Sequence, residues 1–222
     1  MATNSEWRAP LADWQDRFAR WIDTPDPTAL MHGCTFFDLR HVYGDAVLTD
    51  GLRAAMLART SGRSIFLSHL TGNALSRQPP LGLFRNFVLT SVPDGTRSGA
   101  PGHSRDQTRV LDLKHAGVVP IIDLARIHSL AAGVDATGTH ARLEAASIAG
   151  ELSTSGARDL RDALTFLSDV RFRHQMRQLE QGMRPDSLVE PDTLSRFDRG
   201  HLKDAFAIVR TMQRALGQHF DR

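Results

Sequence analysis

Residues Cys34–Asp45 read CTFFDLRHVYGD, and the assignment of this stretch decides what the rest of the chain is expected to be. Thr35, Phe36 and Phe37 are strand-forming types that lead into Asp38, Leu39 and Arg40, and Gly44 and Asp45 stop the segment before a helical pattern begins. The spacing predicts one short strand, about Thr35 to His41. Side chains alternate along a strand, so Phe36, Asp38 and Arg40 would share one face and Phe37 and Leu39 the other. A carboxylate and a guanidinium then project together. They are either a surface ion pair of small energetic weight or a metal-binding carboxylate beside a phosphate-facing arginine.

Composition bounds the alternatives. The chain has 222 residues, 41% of them hydrophobic, which is enough for one large or two small domains with a real core. Its 27 basic and 25 acidic side chains leave a formal charge of +2, which argues against nucleic acid or an anionic membrane as the partner. The single cysteine, Cys34, sits among apolar neighbours and fits a reducing, cytoplasmic setting. The most apolar stretch, Gly117 to Ala132, is interrupted by Pro120, Asp123, Arg126 and His128, so no membrane span is expected.

Outward from the opening segment the pattern is helical. Leu11, Trp14, Phe18, Trp21 and Ile22 recur at spacings of three and four, and the TPDP at Thr24 to Pro27 breaks that helix. Asp45 to Thr60 and Ser64 to Ser76 read as two more helices. Ser91 to Arg109 is rich in glycine and small polar residues without an aromatic, and reads as a flexible loop. Helices follow at Val119 to Ala132, Thr139 to Ala149, Ala157 to Gly182 and Thr193 to Phe220. The last two are expected to bury Leu160, Leu164, Leu167, Phe172, Met176 and Leu179 on one, and Leu202, Phe206, Val209, Met212, Leu216 and Phe220 on the other. The division expected is 1–90, a loop at 91–109, and a helical domain at 110–222.

Few residues carry an explicit chemical signature. The chain has no Walker or dinucleotide glycine loop, no HExxH, no paired CxxC and no GxSxG. Its ten histidines lack ligand spacing, and His128, on an apolar helix face, reads as a core histidine. Arg158, Arg161, Arg171, Arg173, Arg177, Arg196, Arg199, Arg210 and Arg214 crowd the last two helices with acids between them, which reads as a solvated face rather than a phosphate or RNA groove. Lys114, just before Gly117 and a helix start, is a candidate anion site or a plain surface lysine.

FFDLRHVYGD resembles the DLR-x-x-x-G segment of the nucleotidyltransferase branch that contains glutamine-synthetase adenylyltransferase and the protein uridylyltransferases. With PPLGLFRNF at Pro79 to Phe87, LDLK at Leu111 to Lys114 and the two final helices, the whole chain is similar to a bacterial nucleotidyltransferase family often fused to CBS or cyclic-nucleotide-binding regulatory domains. The resemblance implies a mainly α fold, a helical bundle with one short N-terminal strand left from an α/β nucleotidyltransferase domain. It also implies Asp38 as the third metal-binding carboxylate, Arg40 as a catalytic partner near the triphosphate, and Lys114 and Asp123 as cofactor-binding residues. The glycine-serine motif and the two further aspartates of such a site do not occur in these residues, and Ala125 stands where a glutamate would follow Asp123.

The function expected is therefore the substrate-binding portion of a nucleotidyltransferase-like signalling protein, catalytically incomplete alone. Magnesium, a nucleoside triphosphate and a protein or small-molecule acceptor would be engaged only with an upstream half. The alternatives are a non-catalytic helical protein-interaction module, in which Asp38 and Arg40 are structural, and an RNA-binding helical protein. An unpartnered strand edge near Thr35 to His41 suggests homodimerisation.

Overall fold

The computed structural model describes residues 4–61, 64–82, 85–93 and 107–220. It is mainly α, with eight α-helices and three short strands among those residues. In chain order these are α1 (Leu11–Asp23), α2 (Pro27–Phe36), α3 (Ala46–Thr60), α4 (Ser64–Leu75), β1 (Thr90–Pro93), β2 (Gln107–Asp112), α5 (Val119–Ala131), α6 (Thr139–Ile148), α7 (Thr154–Glu180), β3 (Leu188–Val189) and α8 (Arg196–Phe220). A π-type turn, Lys114–Val118, leads into α5. No helix among the described residues is long and apolar enough to cross a membrane. The chain divides into two compact units, Met1–Asn73 with Ala125–Ala157 and Gly217–Arg222, and Ala74–Leu124 with Arg158–Leu216. Neither unit is a continuous stretch of the chain.

In the first unit the expected strand is absent. Thr35 and Phe36 are the last turn of α2, and Phe37 continues it with its amide donating to the Gly33 carbonyl at 2.9 Å. Two upstream residues account for this: Pro27 occupies the first helical turn, and the Asp26 carboxylate accepts from the Ala29 amide at 2.8 Å. Helical geometry then sends the two phenylalanines into an aromatic core. Phe36 lies 5.0 Å from Trp14 and 5.6 Å from Trp21, ring centre to ring centre, and Phe37 lies 5.8 Å from Phe18 and 5.7 Å from Phe66. Asp45 caps α3 by accepting from the Val47 amide at 3.0 Å. The exposed strand edge that suggested homodimerisation is gone with the strand.

The second unit holds the sheet. β1 pairs antiparallel with β2, from Thr90 against Val110 to Pro93 against Gln107, and β2 pairs antiparallel with β3 through Leu111 against Val189. The loop expected at Ser91 to Arg109 is thus strand at both ends, because ladder pairing supplies the backbone partners and Val110 and Leu111 anchor it in the core; residues 94–106 lie outside the described residues. Leu160, Leu164 and Leu167 of α7 and Leu202, Phe206 and Val209 of α8 are buried as expected, whereas Phe172, Met176 and Leu179 are exposed. A side chain at Gly117 would come within 3.2 Å of Phe206 and 3.3 Å of Leu167, so glycine permits this close packing.

His128 is buried in the first unit, but neither ring nitrogen has a hydrogen-bond partner within reach. Its Nδ1 stands 3.7 Å from Glu151 Oε1, and His219 Nε2 approaches the same oxygen at 3.6 Å. Burial, with the nearby His219 charge adding to it, pushes the His128 pKa down from 6.5 to about 4. The unfolded chain therefore binds a proton here that the folded chain refuses, so this contribution is complete above pH 6.5 and is lost as pH falls toward 4. Urea unfolding should show wild type losing about 2–3 kcal/mol more between pH 7 and pH 4.5 than His128→Asn, which cannot titrate. Equal losses in the two proteins would contradict this placement.

Candidate functional site

Asp38 follows the end of α2 in the first unit and meets two arginines rather than Arg40. Arg126 of α5 donates Nη2–H to Asp38 Oδ2 at 3.0 Å, and Arg142 of α6 donates Nη1–H to Oδ1. Arg142 also donates to the carbonyls of Phe37 at 2.9 Å and Ala136 at 3.0 Å. Both arginines are buried, while the Asp38 side chain is 47% exposed. Burial raises the Asp38 pKa, but the charges and hydrogen bonds of Arg126 and Arg142 together outweigh it and hold the carboxyl below its ordinary value. Arg40 is exposed and forms no ion pair among the described residues.

This donor set does not fit magnesium, which requires several oxygen ligands in an octahedral shell. Both Asp38 oxygens face guanidinium groups, and among the described residues no group of three or more His, Cys, Asp or Glu is arranged to hold a metal. Asp38 is instead the counter-charge of two buried cations.

Lys114 and Asp123 belong to the second unit and are not brought together. Lys114 is exposed at the start of the π-type turn, where the Asp112 carboxylate already accepts from the amides of Lys114 at 3.1 Å and His115 at 3.0 Å. The place expected to attract an anion is filled by the chain's own carboxylate. Asp123 is buried on α5 and pairs with Arg77 Nη1 at 3.4 Å; it lies nine positions after Lys114, which stands at the start of the π-type turn that precedes α5.

The second unit offers a different site, a cleft of about 720 Å³ between the 86–89 segment, β2 and the start of α8. One wall is cationic. Arg196, Arg199 and Lys203 recur at i, i+3 and i+7, which sets them on one face of α8, and Arg109 of β2 faces the same space. Arg199 donates to Asp192 at 3.2 Å, so of the two carboxylates in the lining, Glu190 and Asp192, one already steadies a cation. Gly200 lies on this face, and a side chain added there would meet nothing within 4 Å. Ser195 caps α8 by accepting from the Asp198 amide at 2.9 Å, and the first-turn amides add positive potential.

Asn86 and Phe87, in the PPLGLFRNF segment, also line the cleft. The segment's described ends are tied together: the Gly82 amide donates to the Asn86 carbonyl at 2.7 Å and the Val88 amide to the Pro80 carbonyl at 2.9 Å. Arg85 takes a left-handed backbone, φ +57°, unusual for a residue with a side chain, and pairs with Asp204 of α8. Arg210 of α8 donates to the carbonyls of Leu81 and Pro79. Lys203 Nζ sits 5.3 Å from the centre of the Phe87 ring. Helix α8 thus supplies three of the four cations named here and also holds the segment that carries Phe87.

Sequence reading missed this site because acids are interleaved with the arginines in the chain. The signal available was the i, i+3, i+7 spacing of Arg196, Arg199 and Lys203, taken with PPLGLFRNF. For Asp38 the geometry yields a structural expectation: Asp38→Asn leaves two buried guanidiniums without their anion and should lower stability by about 1–3 kcal/mol, discounted for the exposure of the carboxylate. Chemical denaturation checks this, and a variant as stable as wild type would show that the clamp does not matter.

A family model described as "Putative nucleotidyltransferase substrate binding domain" matches residues 64–220, which contain every residue lining the cleft. A second model, described as a putative nucleotidyltransferase, matches residues 1–28. No curated protein and no solved structure matches the chain. The first match spans well over half of the sequence and agrees with the family expected from the DLR, LDLK and PPLGLFRNF segments. The chain belongs to this family of nucleotidyltransferase substrate binding domains.

Proposed function

We propose that the cleft at the start of α8 binds the phosphates of a nucleotide, and that this is how the domain serves a nucleotidyltransferase. The observation that carries the reading is that Arg109, Arg196, Arg199 and Lys203 line one cleft together with Asn86 and Phe87. Guanidinium forks suit phosphate oxygens, and the α8 amides favour the same charge. A cleft of about 720 Å³ is of the size that holds small molecules. Nucleotidyl transfer itself would draw its metal-binding carboxylates from a catalytic fold outside these residues, in a cytoplasmic setting where nucleoside triphosphates are available. The acceptor would be a protein or small molecule presented to that catalytic fold.

Titration with a fluorescent ATP analogue tests the reading. Wild type should bind with an affinity that falls as salt is raised. Arg199→Ala and Lys203→Ala should each weaken binding by about tenfold to a hundredfold, the range for loss of one charge-assisted contact. Asp38→Asn, if folded, should bind like wild type. Unchanged affinity in the Arg199→Ala and Lys203→Ala proteins would contradict the assignment.

A further inference from the structure

Of the four cations that line the cleft at the start of α8, Arg199 alone has a carboxylate partner among the described residues: its Nη1 donates to Asp192 Oδ1 at 3.2 Å. Arg109, Arg196 and Lys203 form no ion pair among those residues, and Lys203 lies over the Phe87 ring. Arg199 is also the middle member of the α8 row, three residues after Arg196 and four before Lys203. A phosphate that reaches this row meets a guanidinium whose place is already taken by an acid of the chain.

The turn that carries Asp192 does not depend on its charge. Residues Pro191–Thr193 form a 3-10 turn closed by the Thr193 amide donating to the Glu190 carbonyl at 3.1 Å and the Leu194 amide to the Pro191 carbonyl at 3.1 Å. The Thr193 hydroxyl donates to the Glu190 carbonyl at 2.7 Å, and Pro191 is buried. The Asp192 side chain is 99% exposed and makes no further hydrogen bond among the described residues. An ion pair this open to water holds weakly, because solvent and salt screen it and two side chains must be kept in one geometry. A phosphate that bonds Arg199 together with the unpaired cations beside it gains more from the exchange. The displaced carboxylate nevertheless stays close by as a like charge.

We propose that Asp192 is an internal competitor for the phosphate site. Its carboxylate holds Arg199 until a ligand phosphate displaces it, and so keeps affinity below what the four cations alone would give. This role presupposes that the cleft takes phosphates, and Asp192 is then the residue that tunes how tightly.

Titration of the full chain with the fluorescent ATP analogue tests it. Asp192→Asn should bind about threefold to tenfold more tightly than wild type, because no ion pair has to be broken and one repulsive charge is gone. The gap should narrow as salt is raised. Asp192→Glu keeps the charge and should stay within about twofold of wild type. Both variants should keep the circular dichroism of wild type, since the position is exposed. If wild type binds and Asp192→Asn binds equally or more weakly, the carboxylate steadies Arg199 for the ligand; the competitor role is overturned and the phosphate cleft stands. Tightening by Asp192→Glu as large as that by Asp192→Asn would also overturn it, because charge would then have no part. No binding by either wild type or Asp192→Asn would remove the phosphate cleft and this role together.

Discussion

Helix α8 has to satisfy two demands with one periodicity, and the second compact unit depends on how it does so. Leu202, Phe206, Val209 and Leu216 form the stripe that goes into the core. Beside it, rotated by roughly a quarter turn, runs a second stripe of Arg196, Arg199, Lys203 and Arg210. Seating the apolar stripe therefore fixes where the cations point. The first three face the cleft, and the fourth reaches the Pro79 and Leu81 carbonyls that hold the PPLGLFRNF loop. Gln213 extends the same strapping, donating to the carbonyls of Arg77 at 2.8 Å and Ala74 at 3.3 Å. The site's geometry is a consequence of core packing, which is why it can be stiff without a ligand.

The first unit rests on a different constraint, the burial of two guanidiniums. Taking Arg126 and Arg142 out of water is costly unless an anion and hydrogen-bond acceptors go with them. Asp38 supplies the anion, and the Phe37 and Ala136 carbonyls take further donors of Arg142. The same aspartate that the DLR resemblance marks as a metal ligand is thus committed to tying the turn after α2 to α5 and α6. A carboxylate with a guanidinium on each oxygen is in a cationic field, where a divalent cation is disfavoured.

How much of this was legible in the sequence varies with the kind of signal. Long amphipathic runs were readable: α1, α3, α5 and α6 begin and end within a few residues of where periodicity and proline punctuation put them. The segment at Thr35 to His41 was not, because seven residues that open on a β-branched and two aromatic side chains satisfy a strand pattern and a helix end equally. The deciding facts, Asp26 as cap and the ring of Trp7, Trp14, Trp21 and Phe18 waiting for Phe36 and Phe37, lie outside the segment. Strands β1 and β2 were hidden by the glycine-rich composition of the residues between them. On α7, a single apolar face was assumed where there are two, since Phe172, Met176 and Leu179 look in sequence like core positions. The arginine stripe on α8 was discounted because neighbouring acids in the chain are not neighbours on the helix surface.

The claim that joins these observations is that the nucleotide lies against α8 and the PPLGLFRNF loop, not at the DLR segment. Photolabelling with an azido derivative of ATP, followed by peptide mapping, addresses it directly because covalent attachment records position. The account predicts label, displaced by unmodified ATP, on peptides containing Asn86 and Phe87 or the Arg196 to Lys203 turn. Displaceable label concentrated on the peptide carrying Asp38 and Arg40 would contradict it.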